Sequence, residues 1–146
     1  MALFKTPVYL IPNRLSDVLR AIQVMGADQY YCRSINDWTS GLGGHPMSAE
    51  CWDKVFWEHP EFFGHGRNKD GIMEYWLRLR RAQMKSLNPA LDSSQMETLL
   101  KTAIDLNVRA SELSLTLPLF VNFLGAIVGA IGGALIGAWA TAHFGN

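Results

Sequence analysis

Glu61-Phe62-Phe63-Gly64-His65, then Asn68-Lys69-Asp70-Gly71, then Ile72-Met73-Glu74-Tyr75-Trp76-Leu77-Arg78-Leu79-Arg80 form the stretch on which the fold turns. Two runs rich in aromatic and branched residues flank a turn that ends in Asp-Gly. Glycine accepts the positive φ that tight hairpin turns require, and Asp-Gly between apolar runs is a strong hairpin signal. The spacing therefore predicts two antiparallel strands, the second reaching Arg80. Arg78 and Arg80 alternate with Leu77 and Leu79, which would put both arginines on one strand face.

Upstream the pattern changes from alternation to helical spacing. Ser16-Asp17 opens a run in which Val18, Leu19, Ile22 and Met25 share a face, with Gly26 as its stop. Gln29 to Arg33 suits a short strand, and Ile35 to Leu42 a short helix closed by Gly43-Gly44. Ser48 is placed to cap a third helix whose apolar face uses Cys51, Trp52, Val55 and Phe56 and which ends before Pro60.

This order of helix, strand, helix, helix and hairpin, with its Asp-Gly wing turn, resembles a winged helix-turn-helix domain over about Pro12 to Arg81. The strings Ile11-Pro12-Asn13-Arg14-Leu15-Ser16-Asp17-Val18, Ala21-Ile22-Gln23-Val24-Met25-Gly26 and Glu58-His59-Pro60-Glu61-Phe62-Phe63 are similar to a group of small, uncharacterised bacterial proteins. Some of that group carry a carbamoyl-amino-acid hydrolase label. The residues here give that activity no support.

Charge narrows the function classes. Thirteen Lys and Arg balance thirteen Asp and Glu among 146 residues, whereas nucleic-acid-binding domains are normally basic overall. The third helix carries Glu50, Asp53 and Glu58 against Lys54, and phosphates repel an acidic helix. The basic residues Arg67, Lys69, Arg78, Arg80 and Arg81 cluster instead on the hairpin. They read as a solvated face or as a contact for an anionic surface, lipid headgroups first.

No catalytic, cofactor or metal constellation stands out. His45, His59, His65 and His143 form no ligand pair at helical spacing. His59 reads as a helix-end residue beside a favourable dipole. Cys32 and Cys51 lack CxxC spacing and read as reduced, mostly buried thiols. Gly41-Leu42-Gly43-Gly44 lacks the Lys-Ser/Thr of a phosphate loop. Trp38, Trp52, Trp57 and Trp76 read mainly as core, with some free to form a partner-binding patch.

Beyond Asn88-Pro89, Asp92-Ser93-Ser94 offers N-caps, and Ser94 with Glu97 has capping-box spacing. Met96, Leu99, Ala103, Leu106, Ala110 and Leu113 then alternate three and four apart, as in a coiled-coil seam. Leu100, Ile104 and Val108 form a second stripe, so the helix is equally suited to pack on its own domain. Leu119 to His143 carries only Asn122, Thr141 and His143 as polar side chains. A bilayer core takes ~20 apolar residues, so this segment reads as a membrane span. Gly125, Gly129, Gly133 and Gly137 recur every four residues beside Ala126, Ala130, Ala134 and Ala138. Such small-residue ridges favour close helix association in lipid and resemble a glycine zipper. Lys101 and Arg109 precede the segment and no Lys or Arg follows it, which orients the N-terminal domain to the cytoplasm and the C-terminus outside.

The expectation is thus an α+β chain: a winged-helix-like domain over 1–87, a linker and amphipathic stalk over 88–114, and one C-terminal transmembrane helix over 115–146. Its place would be a bacterial inner membrane, single-pass and tail-anchored. Its role would be a non-enzymatic protein-interaction module or accessory subunit, with the lipid bilayer, a second copy or a membrane-protein partner as contacts. An oligomeric membrane-perturbing effector and a tethered DNA-binding regulator stand as alternatives.

Overall fold

α1 (Arg14–Ala27) forms where apolar residues recur at helical spacing. Val18, Ala21, Ile22 and Met25 are buried on its inner face. Asn13 precedes it at φ 63°, a left-handed conformation that Asn tolerates better than most residues. The computed structural model describes residues 7–83 and 90–114. The chain divides into two compact units, Met1–Val108 and Arg109–Asn146, and only residues 109–114 of the second are described.

After α1 come β1 (Cys32–Ser34), α2 (Ile35–Gly41), α3 (Trp52–Glu58), β2 (Phe63–Arg67), β3 (Met73–Leu77) and α4 (Arg78–Ala82). A further helix, α5, occupies 93–114. Ser34 caps α2 by accepting a hydrogen bond from Asp37 N–H. Gly43 and Gly44 then take positive φ values of 72° and 110°, which ends the helix where the sequence places its stop.

The three strands form one antiparallel sheet in the order β1-β3-β2. The hairpin turn is closed by Asn68, whose Oδ1 accepts from the N–H groups of Asp70 and Ile72, both at 3.0 Å. Gly71 supplies the required positive φ of 77°. Phe63, Tyr75 and Leu77 are buried, and Phe56 of α3 packs on Phe63 and Tyr75 with ring centroids 4.8 and 5.5 Å away. Trp38 and Trp52 complete the core. Each indole N–H has a carbonyl, Trp38 on Tyr75 at 2.9 Å and Trp52 on Gly44 at 2.7 Å, which a buried donor requires.

β3 is shorter than its alternation predicts. It ends at Leu77, opposite Phe63, the first residue of β2, and β1 pairs only with Glu74 to Trp76. Past Leu77 no strand among the described residues remains to pair with, and the chain turns into α4. Arg78 and Arg80 therefore share no strand face. Arg78 N–H donates to Phe62 O at 2.8 Å. Arg80 is 3% exposed and its Nη1 donates to the carbonyls of Met25 and Tyr30 at 2.8 and 3.0 Å.

α5 starts two residues before the expected box. Asp92 accepts from Gln95 N–H at 2.8 Å, and Gln95 Oε1 accepts from Asp92 N–H at 3.2 Å. These reciprocal bonds make a capping box. Leu91, just before it, is tied down by its N–H to Gly26 O at 2.9 Å. Leu91 and Met96 both pack where a side chain at Gly26 would lie, holding α5 against the C-terminal end of α1.

The expected single-pass architecture requires correction. Among the described residues no helix is long and apolar enough to cross a membrane. α5 interleaves Glu97, Lys101, Asp105, Arg109 and Glu112 along its length, so it cannot take that part. The α+β domain stands, but the transmembrane component, the tail-anchored description and the inner-membrane placement are not supported. Residues 115–146, with the ridges Gly125, Gly129, Gly133, Gly137 and Ala126, Ala130, Ala134, Ala138, lie outside the described residues.

Candidate functional site

α3 divides its side chains by helical period. Trp52, Val55 and Phe56 are buried, while Cys51, Lys54 and Trp57 are exposed at three-residue steps. Cys51, expected to be buried with its neighbours, is exposed because it is the N-cap residue of α3 and lies on the outward stripe. Trp57 is 51% exposed. Its ring rests on His65 of β2, with centroids 3.6 Å apart and planes at 37°. A large aromatic held by the sheet in this way loses little entropy on binding.

The acids of α3, Asp53 and Glu58, are each bonded to the domain. Asp53 accepts a hydrogen bond from the Tyr75 hydroxyl. Burial first, and then this bond, push the Tyr75 phenol up to about 12. Glu58 pairs with the buried guanidinium of Arg14. Glu50 and Lys54 are exposed beside them, and Asp53, bonded to a neutral phenol, keeps its charge. With Glu58 balanced by Arg14, Glu50 and Asp53 remain against Lys54, so the face keeps the acidic excess the sequence predicts and offers phosphates a single lysine.

Beneath this face lies a polar network that sequence reasoning missed. Arg14 and Asp17, three residues apart on α1, are both fully buried. Asp17 accepts from Met47 N–H at 3.1 Å, Ser48 N–H at 2.7 Å and the Ser48 hydroxyl at 2.6 Å. Arg14 Nε donates to Ser48 Oγ at 2.9 Å. The network joins α1, the irregular segment 45–51 and the end of α3. It also explains why Ser48 does not cap α3: its hydroxyl is bound to Asp17 and Arg14. The available signal was Arg14 and Asp17 falling within the apolar periodicity of α1.

His59 closes α3 and is fully buried. Burial, then the Arg14 charge, lower it from 6.5 to about 4, against a smaller opposing pull from Glu58. Its Nδ1 lies 3.0 Å from Glu61 Oε1. Burial also raises the Glu61 carboxyl, with a backbone hydrogen bond opposing it. At neutral pH the contact is a hydrogen bond from a neutral ring, not an ion pair. His59 thus brings no positive charge to the helix end, contrary to the dipole reading.

The five basic residues of the hairpin region are not gathered into one patch. Arg67 donates to Gly71 O at 2.9 Å and is exposed, as is Lys69 in the turn. Arg78 folds back onto the carbonyls of Pro60 and Phe63, and Arg80 is interior. Arg81 covers the Trp76 ring at 3.9 Å. That ring lies against Gly64 and Gly66, where a Cβ at Gly64 would fall 2.7 Å from its Cε2. Of the seam residues, Ala103 is fully buried, and Met96, Leu99 and Leu106 pack on the core of their own domain. Ala110 is half-buried and Leu113 is 63% exposed. Ile104 and Val108 of the second stripe are 43% and 47% exposed.

Among the described residues no group of three or more His, Cys, Asp or Glu is arranged to hold a metal ion. No protein family, curated protein or solved structure matches the chain.

Proposed function

We propose that the domain is a winged-helix-like protein-interaction module, an adaptor or accessory subunit without catalysis of its own, and that it docks through the outward stripe of α3. The element order and the β1-β3-β2 sheet support the winged-helix reading. The observation that carries the function is Trp57, half exposed on α3 and stacked on His65. Tryptophan dominates binding hot spots because it buries a large rigid surface. The acidic excess around it, with Lys54 as the one lysine of the helix, favours a protein over a nucleic acid, whose binding would draw on several lysines or arginines.

A photo-crosslinking residue at Lys54, exposed beside Trp57, tests the reading. Mass spectrometry should find a discrete protein adduct that is lost when Trp57→Ala is added. A second copy of this chain as the adduct would make the module self-associating. No adduct, an adduct indifferent to Trp57→Ala, or crosslinking to nucleic acid would overturn the proposal.

A further inference from the structure

A recess of about 490 Å³ opens beside β1, bounded by the first turn of α2, the β2–β3 turn and β3. Its volume is in the range that accepts a small ligand or a side chain with its neighbours. It shares no residue with the α3 stripe. Two carboxylates, Asp37 and Glu74, line it. Ser34 and Glu74 are direct cross-strand partners, and Ser34 Oγ donates to Asp37 Oδ2 at 2.7 Å. The strand register thus sets Glu74 beside the serine that holds Asp37.

The charge of this recess is not neutralised from within. Arg33 is the one cation among the lining residues, and it is already paired with Asp28 at 2.9 Å and stacked over Tyr30. Among the described residues Glu74 receives only weak or neutral donors, the Cys32 thiol at 3.4 Å and the Asn68 amide at 3.1 Å. Each carboxylate oxygen keeps a free lone pair in that arrangement. The rim is apolar: Tyr30 and Ile72 are 54% and 52% exposed.

We propose that this recess receives an arginine side chain presented by a partner protein. A guanidinium has the planar fork that matches carboxylates, and its aliphatic stem suits an apolar rim while the head reaches the acids. Two carboxylates with a thiol and an amide are too few hard ligands for a stable calcium site. The Cys32 thiol remains a neutral donor to Glu74, since burial raises it above its ordinary value. The α3 docking reading and this one stand on separate residues and fail separately.

The test titrates the full chain with a capped pentapeptide carrying one central arginine, followed by amide NMR shifts. Shifts should map to 30–37 and 68–74. The citrulline peptide, equal in shape but uncharged, should lose them. Asp37→Asn and Glu74→Gln should each weaken binding roughly three- to tenfold, with melting curves confirming that both variants fold. Trp57→Ala should leave the titration unchanged. No shift with millimolar peptide, equal binding of the citrulline peptide, or variants that bind like the parent would overturn the proposal. Spermidine producing the same map at equal affinity would also overturn it, because a polyamine lacks the guanidinium fork.

Discussion

Replacing Asp17 with alanine tests whether the buried network holds the domain together. The carboxylate accepts three hydrogen bonds, two from backbone N–H groups and one from a hydroxyl, between 2.6 and 3.1 Å. Alanine leaves those donors with no acceptor in a fully buried site. Each stranded donor costs about 1–3 kcal/mol. The terms are not additive, because all three act through one group. The expected loss therefore lies at the low end of their sum, about 3–5 kcal/mol. At ~4–8 °C per kcal/mol for a domain of this size, the melting temperature should fall by at least ~12 °C. Asp17→Asn keeps one acceptor oxygen and should lose less than half as much. Circular dichroism melts and urea titrations of the three chains measure the order. A loss below ~1 kcal/mol for Asp17→Ala would refute the assignment, since a surface aspartate would give that result.

Two further changes follow from the same geometry. Gly64→Ala should destabilise by about 1–3 kcal/mol, because the Trp76 ring must leave its place over β2; Gly26→Ala should be close to neutral in the same urea titrations, because it meets the flexible end of Met96 and gains about 1 kcal/mol of helix propensity. His59, lowered to about 4 from 6.5, should make stability fall as pH drops from 6.5 toward 4, because the unfolded chain takes up the proton first. Glu61, raised by burial, protonates earlier in the folded state and offsets part of that loss, and His59→Gln should flatten the decline in melts across this window.

The legible parts of this fold were those set by neighbours in sequence. Asn68 to Gly71 makes its turn from its own side chains, so the hairpin could be placed at once. The inner face of α1 follows from its spacing. What could not be read depended on distant partners. Leu77 to Arg80 alternates like a strand, yet a strand lasts only as long as its neighbours, and the pairing ends at Trp76 with β1 and at Leu77 with β2. Ser48 looks like a helix cap, but Asp17, 31 residues earlier, takes its N–H and hydroxyl. The candidate site lay between these cases. Trp57 is separated from Trp52 by the helical period alone, so its exposure was available in the sequence once the helix face was assigned. The recess beside β1 was not available, because it gathers residues from Tyr30 to Glu74 through the strand pairing.

The seam of α5 raises a question that one substitution settles. An apolar repeat at three and four spacing serves equally to join two helices of different chains or to lay one helix on its own domain. The fold takes the second course over 96–106, where Met96, Leu99, Ala103 and Leu106 all meet the core. Ala103 is the sharpest point of difference, since it is fully buried and small. In a coiled coil, leucine at such a position fills a hole and strengthens the assembly. Against a close-packed domain the three added carbons have no space and force the helix outward. Ala103→Leu is therefore expected to destabilise the domain by about 1–3 kcal/mol and to leave its mass by light scattering unchanged. A variant that is more stable and shifts to a higher oligomer would show that the seam serves an intermolecular partner. The exposed stripe of Ile104 and Val108 gives the matching control: on the packed-helix reading, Ile104→Ser and Val108→Ser each alter stability by less than ~0.5 kcal/mol, as surface changes do.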